Sequence, residues 1–214
     1  MLVPVVTLAH NISGANAQFV QGLDGVAPTL FMYLGAKHMV TGYDHLLYLV
    51  GVLFFLRRLK DVFLYVTLFT LGHSITLMVG VLIDLNVNAY LVDTVIGLSV
   101  AYKAFENMNG FKQVFGVCLD ARVAVFAFGL CHGLGLATKL QDLSLSADSL
   151  MMNMLSFNLG VEMGQAIALV FILAVLVQWR QRSGFQGHAF MANTILMSLG
   201  FMLAGYQFAG YLWA

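Results

Sequence analysis

The segment HMVTGYDHLLYL, residues 38–49, sets His38, Asp44 and His45 into an otherwise apolar stretch. Farther along, His73 lies in FTLGHSITL, His132 in FGLCHGLGLA, and Asn158, Glu162 and Gln165 in FNLGVEMGQ. Imidazole nitrogens and carboxylate oxygens suit borderline divalent ions such as nickel, cobalt, zinc and iron. Neutral imidazoles joined by several carboxylates also offset the charge of such an ion. Cys118 and Cys131 are too few for a disulfide framework or a convergent thiolate site, and both are expected as free thiols.

Spacing assigns faces. On one continuous helix His38 and His45, seven apart, fall on nearly the same face, with Asp44 turned about 100° from His45. An imidazole with a carboxylate behind it is the usual arrangement of a metal-binding histidine. Asn158, Glu162 and Gln165 follow i, i+4, i+7 and form a single stripe. Gly129, Gly133 and Gly135 bracket His132, where small residues let helix backbones approach closely. Thr70, Gly72, Ser74 and Thr76 surround His73, and their hydroxyls are suited to bonding carbonyls or a ligand.

The elements that hold these groups follow from composition. Of 214 residues, 60% are hydrophobic and 9% charged, against about 25% charged in a soluble domain. Mean hydropathy is +0.87. The expectation is an all-α integral membrane protein, because the apolar runs lack period-2 alternation and are too long for barrel strands. Six segments approach the ~20 residues that cross a bilayer: 38–56, 61–84, 88–108, 121–141, 150–178 and 189–213. Residues 1–17 end in an A-x-A arrangement at Ala15 and Ala17, so a cleaved signal peptide and a retained seventh helix are both open. Residues 19–37, interrupted by glycines and Pro28, read as an interfacial or re-entrant piece. No linker divides residues 18–214, which form one expected domain. The formal charge is zero and no basic stripe points to nucleic acid.

Basic side chains near span ends are retained in the cytoplasm. Arg57, Arg58, Lys60, Lys103, Lys112, Arg122, Arg180 and Arg182 fall at alternate connections, leaving Lys37 and Lys139 at the others. This places both termini of the core outside. His38 then falls at the outer mouth, Asp44, His45 and Asp93 slightly deeper, His73, His132, Asn158 and Glu162 toward mid-membrane, and Glu106 near the inner end. An ionisable group at mid-bilayer costs about 2.5 to 3.5 kcal/mol, so such residues mark function by default. A single His bonded to a backbone carbonyl needs no function, and Lys103 with Glu106 reads most simply as an i, i+3 ion pair. Four histidines and several acids in one half of a bundle favour a shared ion site.

HMVTGYDHLLYL, FTLGHSITL, AFEN, FGLCHGLGLA and FNLGVEMGQ resemble, in order, the signature blocks of the HupE/UreJ family, small bacterial membrane proteins linked with hydrogenase and urease maturation. The resemblance implies a six- or seven-helix inner-membrane protein engaged in nickel, or alternatively cobalt, uptake. It highlights His38, Asp44, His45, His73, Glu106, His132 and Glu162. Asp93 stands where the resemblance leads one to expect Glu, and no His-rich tail or loop accompanies the chain.

The leading expectation is a permease for a divalent metal ion (Ni, Co or Zn), with His38, Asp44, His45, His73, His132 and Glu162 as ligands and Asp93, Glu106, Asn158, Gln165 and Ser74 supporting the path. One alternative is an intramembrane zinc hydrolase acting on a lipid or amide, with three His on the metal, a carboxylate base and Ser74 nearby. Another is a metal- or heme-binding subunit of a larger membrane complex. Expected partners are the bilayer, the metal ion and a metalloenzyme-maturation system or larger complex.

Overall fold

The computed structural model describes residues 25–85, 87–141 and 147–213, and among these every regular element is helical. The helices are α1 (Pro28–Thr41), α2 (Tyr43–Leu53), α3 (Leu59–Leu82), α4 (Ala89–Asn107), α5 (Ala121–Gln141), α6 (Ala147–Arg180) and α7 (Phe185–Trp213), with a π-helical turn at Phe111–Phe115. The leader or extra helix expected within residues 1–17 lies outside the described residues.

The single span expected at 38–56 is instead two helices. Pro28 opens α1 at a position where its missing N–H costs nothing. Gly42 then leaves helical geometry with φ −73° and ψ 99°. Its N–H donates to the His38 carbonyl at 2.9 Å and closes the last turn of α1. A Cβ at Gly42 would stand 2.9 Å from the His38 oxygen and 3.1 Å from His45 Nδ1, so the break has room only for glycine. His38 and His45 therefore belong to different helices. His38 also lies about 15 Å along α1 from Pro28, inside the bundle rather than at its mouth.

Among the described residues, four helices are long and apolar enough to cross a bilayer: Leu59–Leu82, Ala121–Thr138, Ser149–Arg180 and Phe185–Trp213. Helix α4 has comparable length, 19 residues, but carries Asp93, Lys103 and Glu106. Helix α2, with 11 residues, is too short to span alone.

Six helices pack as three close pairs, α1 with α6, α3 with α5, and α4 with α7. Glycine permits each approach. A Cβ on Gly164 would lie 2.6 Å from the Ala36 carbonyl, one on Gly72 2.5 Å from that of Phe126, and one on Gly200 2.5 Å from the Ala101 nitrogen. Matched contacts run in the same chain direction for α1 with α6 and α3 with α5, and in opposite directions for α4 with α7. The close approach expected of Gly129 and Gly133 is present, facing the carbonyls of Phe69 and His73.

Short α2 is held among these pairs, against α1, α4, α6 and α7. Its far end is clamped by Arg180 of α6, whose guanidinium donates to the carbonyls of Leu53, Phe54 and Leu56. Asn107 of α4 donates to the Gly51 carbonyl at 2.8 Å and to Asn193 of α7 at 2.9 Å. The break at Gly42 and this clamp fix both ends of α2, and with them the direction in which Asp44 and His45 point.

Candidate metal centre

Asp44 and His45 occupy the first turn of α2, where a carboxylate suits the positive helix terminus. Both are buried, as are His73 of α3, Asp93 of α4 and His132 of α5. His45 is the hub. Its ring centroid lies 4.9 Å from that of His38, 5.9 Å from His73 and 4.7 Å from His132. Four histidines from four helices thus meet around one imidazole.

Among the described residues, two trios bring their ligand atoms within 4.8 Å of one another: His38 with His45 and His73, and Asp44 with His45 and His132. His45 is common to both. Its Nδ1 stands 3.2 Å from Asp44 Oδ1. An ionised carboxylate only accepts, so Nδ1–H donates and the lone pair resides on Nε2. His132 Nε2 lies 3.3 Å from the Ser99 hydroxyl, whose own proton goes to the Ile96 carbonyl at 2.7 Å. The Ser99 oxygen therefore accepts from Nε2–H, leaving the lone pair of His132 on Nδ1. Phe69, 5.0 Å from His132 and 6.3 Å from His45 between ring centroids, and Tyr48 pack beside the imidazoles.

The remaining sequence-derived candidates lie apart from these trios. Asp93 shares a small void with Asp44 and accepts from Gln207 Nε2 at 3.3 Å. Glu106 accepts from Lys103 at 2.7 Å, the ion pair its spacing suggested, on a cavity of about 500 Å³ with Asn107 and Asn193. The stripe on α6 divides. Asn158 and Gln165 are buried, whereas Glu162 is exposed and lines, with Ser74, Thr70 and Gln165, a cleft of about 410 Å³ between α3 and α6. Gln165 accepts from Thr70 at 2.5 Å and also borders a void of about 10 Å³ beside His45 and Tyr48.

Sequence reading passed over two residues that the structure joins to this centre, Ser99 and Gln207. The signal for Gln207 was an amide in the apolar C-terminal half of α7, well beyond Asn193. Ser99 gave a weaker one, because a single hydroxyl in a span is commonly satisfied by its own helix.

A bundle of long apolar helices around buried imidazoles and carboxylates defines a membrane protein with a polar centre able to receive a cation. The family profile described as HupE / UreJ protein matches residues 14–214, and the chain belongs to that family. No match was found among curated proteins or solved structures.

Proposed function

We propose that the protein is a permease for a divalent transition-metal ion, nickel foremost and cobalt next, loaded from the outer face of the bacterial inner membrane. The observation that carries this reading is the shared ligand: His45 belongs to both trios. An ion held by His38, His45 and His73 can pass to Asp44, His45 and His132 without leaving imidazole coordination. In the first position Asp44 acts as the carboxylate behind His45, fixing its tautomer. In the second, Asp44 is itself a ligand.

Charge supports the same reading. Asp44 and Asp93 bring two carboxylates to one buried region, matching the charge of a divalent ion that lipid alone would reject. Ser99 presents Nδ1 of His132 as its donor. The ion pair of Lys103 with Glu106, at the end that also holds Arg180, suits an exit to the cytoplasm.

Size supports transport over hydrolysis. The voids reaching His45 and Asp44 are each about 10 Å³, room for an ion or a single water but not for a lipid or amide. The metal is thus read as cargo rather than as a resident catalyst. Uptake of radiolabelled nickel and cobalt by cells carrying His45→Ala or His132→Ala tests the proposal. Both variants should fall to the level of cells lacking the protein. Wild-type rates in both would contradict it.

A further inference from the structure

Beside the imidazole cluster, residues from α2, α4 and α7 enclose a second polar void. Tyr43 and Asp44, Asp93, and Gln207 supply its polar lining, and Ile96, Gly97 and Leu203 supply the rest. Gln207 is buried at 4% exposure, and its orientation is fixed by chemistry. The amide nitrogen faces Asp93 Oδ2 at 3.3 Å. The reversed amide would set a carbonyl against a carboxylate oxygen. Its oxygen, Oε1, is buried and has no hydrogen-bond partner among the described residues.

A buried carbonyl oxygen without a donor carries a desolvation cost unless something positive or proton-donating meets it. Here that oxygen shares a void with two carboxylates, which bring negative charge and no donor, and with the phenol of Tyr43, which makes no hydrogen bond to it. We infer that Asp44, Asp93 and Gln207 form a separate all-oxygen site for a divalent cation, through which the ion sheds its water before reaching the imidazoles. The ordering rests on the permease reading; the existence of the site does not.

Size and depth give the site its character. About 10 Å³ admits one water or one bare ion, but not a hydrated ion. Carboxylate and amide oxygens are hard donors, which accept manganese and magnesium as well as nickel, whereas imidazoles favour nickel. The site therefore takes divalent ions broadly, and discrimination falls to the histidines. Asp93 lies about 6 Å along α4 from Ala89, and Gln207 about 9 Å along α7 from Trp213. Ser99, which orients His132, is about 15 Å from the same end of α4. The oxygen site is thus the shallower of the two, measured from the end opposite Arg180. Asp44 belongs to both, since its Oδ1 also holds His45.

Manganese(II) is the probe, added to untagged purified protein and followed by electron paramagnetic resonance, with cobalt(II) absorption reporting the imidazole site in parallel. Wild-type protein should bind manganese without spin-echo modulation from imidazole nitrogen. Gln207→Ala should weaken that binding about tenfold or more, while the cobalt spectrum stays intact and shows that the variant is folded; Asp93→Asn should weaken manganese binding as well. Gln207→Glu, which keeps an oxygen at the void, should retain manganese binding. The inference fails if wild-type protein does not take up manganese, the void then holding water only. It fails equally if bound manganese shows imidazole nitrogen and disappears in His132→Ala, or if Gln207→Ala with a normal cobalt spectrum binds manganese like wild type. Absence of the cobalt spectrum from wild-type protein would strike the imidazole reading alone, with the manganese result still deciding the oxygen site.

Discussion

His45 reaches three other imidazoles because it follows a helix break, and its own tautomer is set by the residue before it. His132 depends in the same way on Ser99, which acts as acceptor for Nε2–H because its own proton is already given to Ile96. Ser99→Ala removes that acceptor without touching any proposed ligand. It should lower cobalt affinity about tenfold, read by titrating the visible absorption of cobalt on purified protein; unchanged affinity would mean that His132 needs no orienting partner. The histidines themselves were legible in the sequence, since each stood in an apolar stretch where lipid penalises it. Ser99 and Gln207 were not, because their roles depend on which helix lies opposite. Glu162 shows the converse: its stripe with Asn158 and Gln165 was real as a helical period, yet the stripe turns at the α3–α6 interface and leaves Glu162 on a cleft.

At the scale of elements, the site is a consequence of close helix pairing. Gly133 faces the His73 carbonyl, so the α3–α5 crossing falls beside both His73 and His132. Thr76 of α3 reinforces it by donating to the Leu130 carbonyl at 2.7 Å. A methyl group at Gly133 must push the backbones apart, at a cost of about 1–3 kcal/mol for overpacking. Gly133→Ala should lower the thermal midpoint in detergent and weaken cobalt binding, whereas Gly187→Ala, where an added Cβ meets nothing within 4 Å, should change neither. Equal behaviour of the two variants would detach the crossing from the site. The glycine pattern around His132 foretold this approach. The break at Gly42 was hidden by the continuous hydrophobicity of residues 38–56: a single glycine in an apolar run is compatible with a helix, and only neighbouring His38 and His45 make a side chain there too crowded.

For the whole molecule, contacts of Arg180 with the end of α2, and of Asn107 with Gly51 and Asn193, gather the ends of α2, α4 and α6 and the start of α7 at one end. In the proposed orientation, which rests on the bias of basic residues, that end faces the cytoplasm. Cys118 is exposed in the connection between α4 and α5 and supplies a native probe. A membrane-impermeant maleimide should label it in inverted vesicles and not in intact cells; the opposite pattern would reverse the orientation. The all-helical membrane class was legible from composition because it rests on bulk hydropathy, whereas the meeting of four helices around His45 rests on packing that no single segment encodes. That meeting is the central claim, and X-ray absorption at the nickel edge of untagged, nickel-loaded protein tests it most directly. The spectrum should show imidazole nitrogens together with carboxylate oxygen, and the imidazole scattering should collapse in His45→Ala. Nickel ligated by oxygen alone, or an unchanged spectrum in His45→Ala, would contradict the account.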